Sequence, residues 1–205
     1  MKREEKNALS RQRILDAAMK EFSEKGYDAA SLNTICAEKN ISKGIIYHYF
    51  KDKDELYLLC VSLCYEELTA YLELNGKDGK TVESRLRTYF DARLHFFAER
   101  PSYLGIFLSS TLNPPARLSA ELLSARAPFD ALNIKTLTEL LESAPLRSDV
   151  SIPLIVEDFR MYMDFFNARF KAALSEGEAP ERALSEHEES CHRQLGILLH
   201  GVLEK

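Results

Sequence analysis

Apolar residues recur at helical spacing along nearly all of this 205-residue chain, and nowhere do they alternate with period two over a strand's length. No Asn-Gly or Asp-Gly pair stands between β-branched runs, so hairpins are excluded and the spacing predicts an all-α fold. A first helix is expected over 10–25, with Ile14, Ala18 and Phe22 on one stripe and Gly26 as its stop. Ser31 caps a second that buries Leu32, Ile35 and Cys36 and ends near Asn40. A third, short helix runs from Ser42 to about Phe50. Asp52, three residues ahead of Glu55, opens a long fourth helix with Leu56, Leu59, Cys60, Leu63, Cys64 and Leu68 as its apolar side. The segment 75–80 is the clearest linker, and helices follow at 81–98, 101–111, 116–126, 128–143, 153–175 and 181–203. Their breaks are set by Pro114-Pro115, Pro128, Pro145 and Gly177.

A chain of this size buries roughly 70% of its unfolded surface, so its four cysteines have no obligatory structural task. Met1 to Lys6 is strongly charged, unlike a signal peptide. The longest uncharged stretch, 101–116, falls short of the ~20 apolar residues that span a bilayer. A cytoplasmic protein with reduced thiols and no membrane partner is expected. The net charge of −5 argues against a nucleic-acid binder until its distribution is considered. Residues 1–53 carry 11 Lys and Arg against 8 Asp and Glu, whereas the remainder carries 16 against 24. A polyanion partner would meet the basic N-terminal quarter.

Asn40-Ile41-Ser42 is a tight connection between two short helices, the layout in which the second helix of a helix-turn-helix enters a DNA major groove. Stepping 100° per residue puts Ile46 and Phe50 inward with Ile35. Gly44, Ile45 and His48 then face outward, flanked by Lys43, Tyr47 and Tyr49. Gly44 costs about 1 kcal/mol of helix propensity, which suits a site of close backbone approach. Outward-facing Ile45 suits contact with a thymine methyl. Lys43, Tyr47, Tyr49 and Lys53 are phosphate-contacting types, and the helix start after Asp52 adds free amides.

Gly26, Tyr27, Ser31, Leu32, Ile35, Ile41, Ser42, Gly44, Tyr47, Tyr49, Phe50, Lys53 and Leu56 stand in one register that resembles the TetR family of bacterial transcriptional regulators. Ala30, Cys36, Lys39 and Asn40 depart from the usual Thr, Ala, Ala and Gly. The resemblance covers 10–56 and implies phosphate contacts from Ser31, Asn33 and Thr34. It implies base reading by Lys43, Gly44, Ile45 and His48, and phosphate anchoring by Tyr47, Tyr49 and Lys53. The chain divides on this reading into a DNA-binding domain, 1–53, and an effector-binding and dimerisation domain, 54–205.

For the larger domain the resemblance implies a helical bundle that encloses a small-molecule effector and dimerises through its last two helices. Aromatic residues cluster on three of the helices concerned, and the candidate ligand-binding set is Phe90, Arg93, Phe97, Tyr103, Phe107, Phe159, Tyr162, Met163 and Phe166. His95, Arg160 and Asp164 are further candidate polar groups. The expected dimer seam takes Ile155, Phe159, Tyr162, Phe166 and Phe170 with Leu184, Cys191, Leu195, Leu198, Leu199 and Val202, while Gly196 and Gly201 allow close approach. Cys60 and Cys64 read as buried apolar thiols, since no second ligand pair at zinc spacing accompanies them. No phosphate-binding loop, dinucleotide fingerprint or nucleophile elbow is present, so no cofactor and no catalysis are expected. The functional expectation is a homodimeric repressor released from a pseudo-palindromic double-stranded operator by an effector of unknown identity. Docking of a protein partner by the larger domain is the alternative.

Overall fold

The computed structural model describes residues 3–38 and 41–202. Among them the regular structure is helical: α1 (Arg3–Ala29), α2 (Leu32–Glu38), α3 (Lys43–Tyr49), α4 (Lys53–Asn75), α5 (Val82–Glu99), α6 (Pro101–Leu112), α7 (Ser119–Glu142), α8 (Ile152–Ser175) and α9 (Pro180–Val202), with one 3-10 turn at Ala116–Leu118. The departures from Ala and Gly at Lys39 and Asn40 lie outside the described residues, as does the side chain of Val202. The expected connection is closed by the Ile41 N–H, which donates to the Cys36 carbonyl over 2.8 Å.

Two differences from the sequence reading have simple causes. α1 begins at Arg3, not Ser10: its first turn, Arg3 to Lys6, is entirely charged, so the apolar pattern that marks the helix starts only later. Pro128 does not divide α7. A helix-interior proline costs about 3 kcal/mol, and Leu122 before it and Phe129 and Leu132 after it are all buried, which offsets that cost.

The chain forms two compact units, Met1–Glu67 with Glu99–Ala127, and Leu68–Ala98 with Pro128–Lys205. This division departs from a boundary at 53/54, since α6 packs against α1 within the first unit. There Ile14, Ala18, Phe22, Ile35, Ile46 and Phe50 join the buried side of α4, Leu56, Tyr57, Cys60 and Cys64, in one core. Gly105 of α6 sits where a Cβ would lie 2.5 Å from the Ser23 carbonyl oxygen of α1, so this crossing has room for no side chain. In the second unit α8 packs on α9, around a core of Leu86, Phe90, Leu137, Leu140, Leu141, Ile155, Cys191, Leu195 and Leu199.

Candidate nucleic-acid interface

Local chemistry fixes the ends of the short helices in the first unit. Ser31 Oγ accepts from the Asn33 N–H (3.1 Å), and Ser42 Oγ from the Ile45 N–H (3.4 Å). The Phe50 N–H closes α3 on the Ile46 carbonyl at 2.9 Å. At the head of α4 the Glu55 N–H donates to Asp52 Oδ1 (2.9 Å) and Glu55 Oε2 accepts from the Lys51 N–H (2.6 Å), a capping box whose return bond lands one residue early.

These caps set the rotation of α3. Ile46 and Phe50 are 1% and 2% exposed, while Lys43, Gly44, Ile45, Tyr47 and His48 all face solvent. Ile45 and Tyr47 are 43% and 53% exposed, an apolar patch that nothing in the first unit covers. A Cβ on Gly44 would meet only Ser42 Oγ, at 4.0 Å, so the protein's own packing does not require glycine there. Tyr49 is half-buried; its hydroxyl donates to Asn7 Oδ1 of α1 (3.2 Å), and its ring lies 5.0 Å from that of His48.

On α2, Asn33 is exposed and Thr34 half-buried. Glu21 of α1 is 3% exposed and takes the Ser31 N–H (3.0 Å) and the Lys25 ammonium (2.9 Å). Burial opposes its charge, but these donors, with the Thr34 hydroxyl, hold the carboxyl below the usual carboxylate range. The Ser31 oxygen and the Thr34 hydroxyl are thus engaged inside the unit, whereas Asn33 is exposed.

Lys53 is similarly occupied: its ammonium donates to the Asp28 carbonyl (3.2 Å) and lies 4.5 Å from the centre of the Tyr27 ring. Desolvation lowers its pKa from the ordinary lysine value. Gly26, at φ 68°, makes the turn that delivers Tyr27 to this place. The Tyr27 hydroxyl donates to Asp54, and Arg117 grips both Asp54 oxygens (2.6 and 3.0 Å) and the Tyr27 hydroxyl. Burial, then Asp54, pushes the Tyr27 phenol up to about 12. This Tyr27–Asp54–Arg117 junction escapes sequence reading because Arg117 is 63 residues from Asp54. Lys51, exposed beside the end of α3, also had no motif to mark it.

The residues expected to line an effector site are distributed over both units. In the second, Phe90 is in the core, with Phe159, Met163 and Phe166 packed partly buried against it. Phe97 is buried there too, whereas Tyr162 is 40% exposed. Arg93 is tied to Glu188 of α9 through Nε (2.9 Å) and Nη2 (2.5 Å), both side chains being buried. His95, Arg160 and Asp164 are exposed. Tyr103 and Phe107 belong to the first unit, where the Tyr103 hydroxyl donates to Glu67 (2.7 Å) and Phe107 lies 5.9 Å from the Tyr65 ring.

The expected seam needs correction. Ile155, Phe170, Leu184, Cys191, Leu195 and Leu199 are buried within the second unit, where they close its own core. The large apolar residues turned outward on α8 and α9 are Leu154, Met161, Tyr162, Phe165 and Ile197. Cys60, Cys64 and Cys191 are unpaired and buried, and burial pushes the Cys60 and Cys191 thiols up to about 12. Among the described residues no group of three His, Cys, Asp or Glu could hold a metal, and no helix is long and apolar enough to cross a membrane.

Residues 14–60 match the family model of bacterial regulatory proteins of the tetR family. The chain is 25% identical over 193 residues to the biofilm operon icaADBC HTH-type negative transcriptional regulator IcaR of Staphylococcus aureus, covering 91% of this chain and 97% of that one. With IcaR of Staphylococcus epidermidis it shares 32% identity over 78 residues, 38% of this chain and only 42% of the relative. The crystal structure of the transcriptional regulator FadR from Bacillus subtilis, in complex with stearoyl-CoA, superposes with a TM-score of 0.66 at 16% identity, over 88% of this chain and 96% of that one. The matched segment 14–60 contains α2, α3 and their caps, and the likeness to IcaR runs nearly from end to end. With a helical fold throughout and this helix pair at its head, the chain carries at residues 14–60 the segment that marks bacterial regulatory proteins of the tetR family, and it shares the fold of that family's solved members.

Proposed function

We propose that this regulator is a homodimeric repressor that reads a pseudo-palindromic operator with the outward face of α3. The observation that carries the proposal is the split of α3 into a buried side, Ile46 with the capping Phe50, and an exposed side of Lys43, Gly44, Ile45, Tyr47 and His48. An exposed isoleucine and a glycine that packing does not need make sense where a base edge and a phosphodiester come close. On this reading 1–53 holds the DNA-contacting residues and 54–205 the effector-responsive and dimerising ones. Repression follows the IcaR relatives, which are negative regulators. FadR, solved with stearoyl-CoA, supports a small-molecule effector, with Phe90, Phe159, Met163 and Phe166 as the apolar group nearest to such a role. Such an effector releases DNA only by binding the non-operator state more tightly than the DNA-bound one. The protein acts in the cytoplasm, as a regulator and not a catalyst.

Dimerisation would use the outward stripe of α8, in which Leu154, Met161 and Phe165 recur at heptad-like spacing and continue into Ala168 and Ala172, together with the exposed Ile197 of α9. Phe165 is 56% exposed, so Phe165→Glu should leave thermal stability of the unit intact and weaken self-association about 30-fold or more by sedimentation. Selection from a random DNA pool should enrich an inverted repeat with half-sites one helical turn or a multiple apart. Phe165→Glu should lose that two-fold preference. Failure of the wild-type protein to enrich any sequence would contradict operator reading, and a tight dimer in Phe165→Glu would place the interface elsewhere.

A further inference from the structure

The core-facing stripe of α1, Ile14 and Ala18, continues backwards through Arg11 to Asn7, and there it stops being apolar. These two residues, one turn apart, pass the C-terminal end of α3. The Arg11 guanidinium lies over the ring of Phe50, 5.6 Å from its centre, and Asn7 Oδ1 accepts the Tyr49 hydroxyl proton at 3.2 Å. An aliphatic side chain would cover Phe50 equally well. Instead this position holds an exposed cation whose planar fork suits phosphate, at the rim of the α3 face.

The Tyr49 hydroxyl has one proton and gives it to Asn7, so it has none to give a phosphate. Asn7, its oxygen occupied, presents two amide N–H donors from an exposed position. We propose that Asn7 and Arg11 form a phosphate clamp on α1 that grips the DNA backbone beside the segment faced by α3, and that Tyr49 is a positioning residue for Asn7. The proposal rests on the reading of α3 as the DNA-facing helix.

Fluorescence anisotropy of the full chain on the selected operator and on random duplex, over a series of salt concentrations, tests both parts. Arg11→Ala should weaken binding to the two duplexes by the same factor and flatten the salt slope by about 1 per half-site. Arg11→Lys should keep the slope. Asn7→Ala and Tyr49→Phe should each weaken binding by roughly threefold to tenfold, and the double variant no more than the worse single, because the two act as one unit. An unchanged salt slope in Arg11→Ala, or additive losses for Asn7 and Tyr49, overturns the clamp. Ile45→Ala separates the clamp from the reading beneath it: if Ile45→Ala loses operator preference while Arg11→Ala changes nothing, only the clamp falls. If neither variant matters, the DNA-facing reading of α3 falls and the clamp with it.

Discussion

Glu188→Ala is expected to cost about 3–5 kcal/mol of stability, because it strands the Arg93 guanidinium, 4% exposed, without the carboxylate that takes both its bonds. For a chain of this length that is a fall of roughly 10 °C in Tm. The same physics predicts that Arg93→Met with Glu188→Leu returns most of the loss, since an apolar pair of similar volume needs no desolvation of charge. Calorimetry of the two variants decides it: a double variant as unstable as Glu188→Ala would mean that the pair contributes more than mutual neutralisation. Burial opposes the Glu188 charge, yet Arg93 and His187 hold its carboxyl below the ordinary value. A carboxyl lowered in the folded state contributes stability that is complete above its unfolded pKa of about 4.3 and is lost as the pH falls through the folded one. Glu188→Gln should therefore flatten the acid limb of a stability-versus-pH curve, and an unaltered limb would contradict the pairing.

Gly105→Val should break the first unit at its tightest crossing. A Cβ there would lie 2.5 Å from the Ser23 carbonyl oxygen and 2.8 Å from Ser23 Cα, and backbone atoms cannot rotate away. α1 and α6 must separate, opening the core beneath Phe22 and Ile106, at about 1–3 kcal/mol or somewhat more for a branched side chain. Because α2 packs on α1 and α3 on α2, operator affinity should fall with stability. Shortening the partner, as in Ser23→Ala, should give no rescue, since the obstacle is main chain. Urea unfolding and anisotropy on the single and double variants check this, and a rescued double variant would show that the Ser23 hydroxyl is the real obstacle.

The head was legible because its determinants are local. Ser31, Ser42 and Asp52 cap helices whose rotation then follows from 100° per residue, and Ile46 inward with Ile45 outward is what the structure has. Pairings across long sequence separations were not legible. Arg93 could be picked out as a polar residue among aromatics, but its partner is 95 residues away, and Lys53 looks like a free cation until Asp28 and Tyr27 are placed beside it. The stripes of α8 and α9 illustrate a second limit. Both helices carry apolar residues on more than one side, so periodicity assigns Leu195 to the seam and passes over Phe165, and only packing tells that the first closes the unit's own core and the second is left outside.

Gly44→Ala is the most direct test of α3 as a DNA-reading helix, because the substitution separates folding from binding. Open space around the added methyl means no clash within the protein, and alanine favours a helix over glycine by up to about 1 kcal/mol. Thermal stability should be unchanged or slightly raised, while the dissociation constant for the selected operator, measured by anisotropy, should rise at least about tenfold as the methyl meets the DNA backbone or a base edge. A variant that is equally stable and binds the operator as tightly as the wild type would contradict the assignment of this face to DNA.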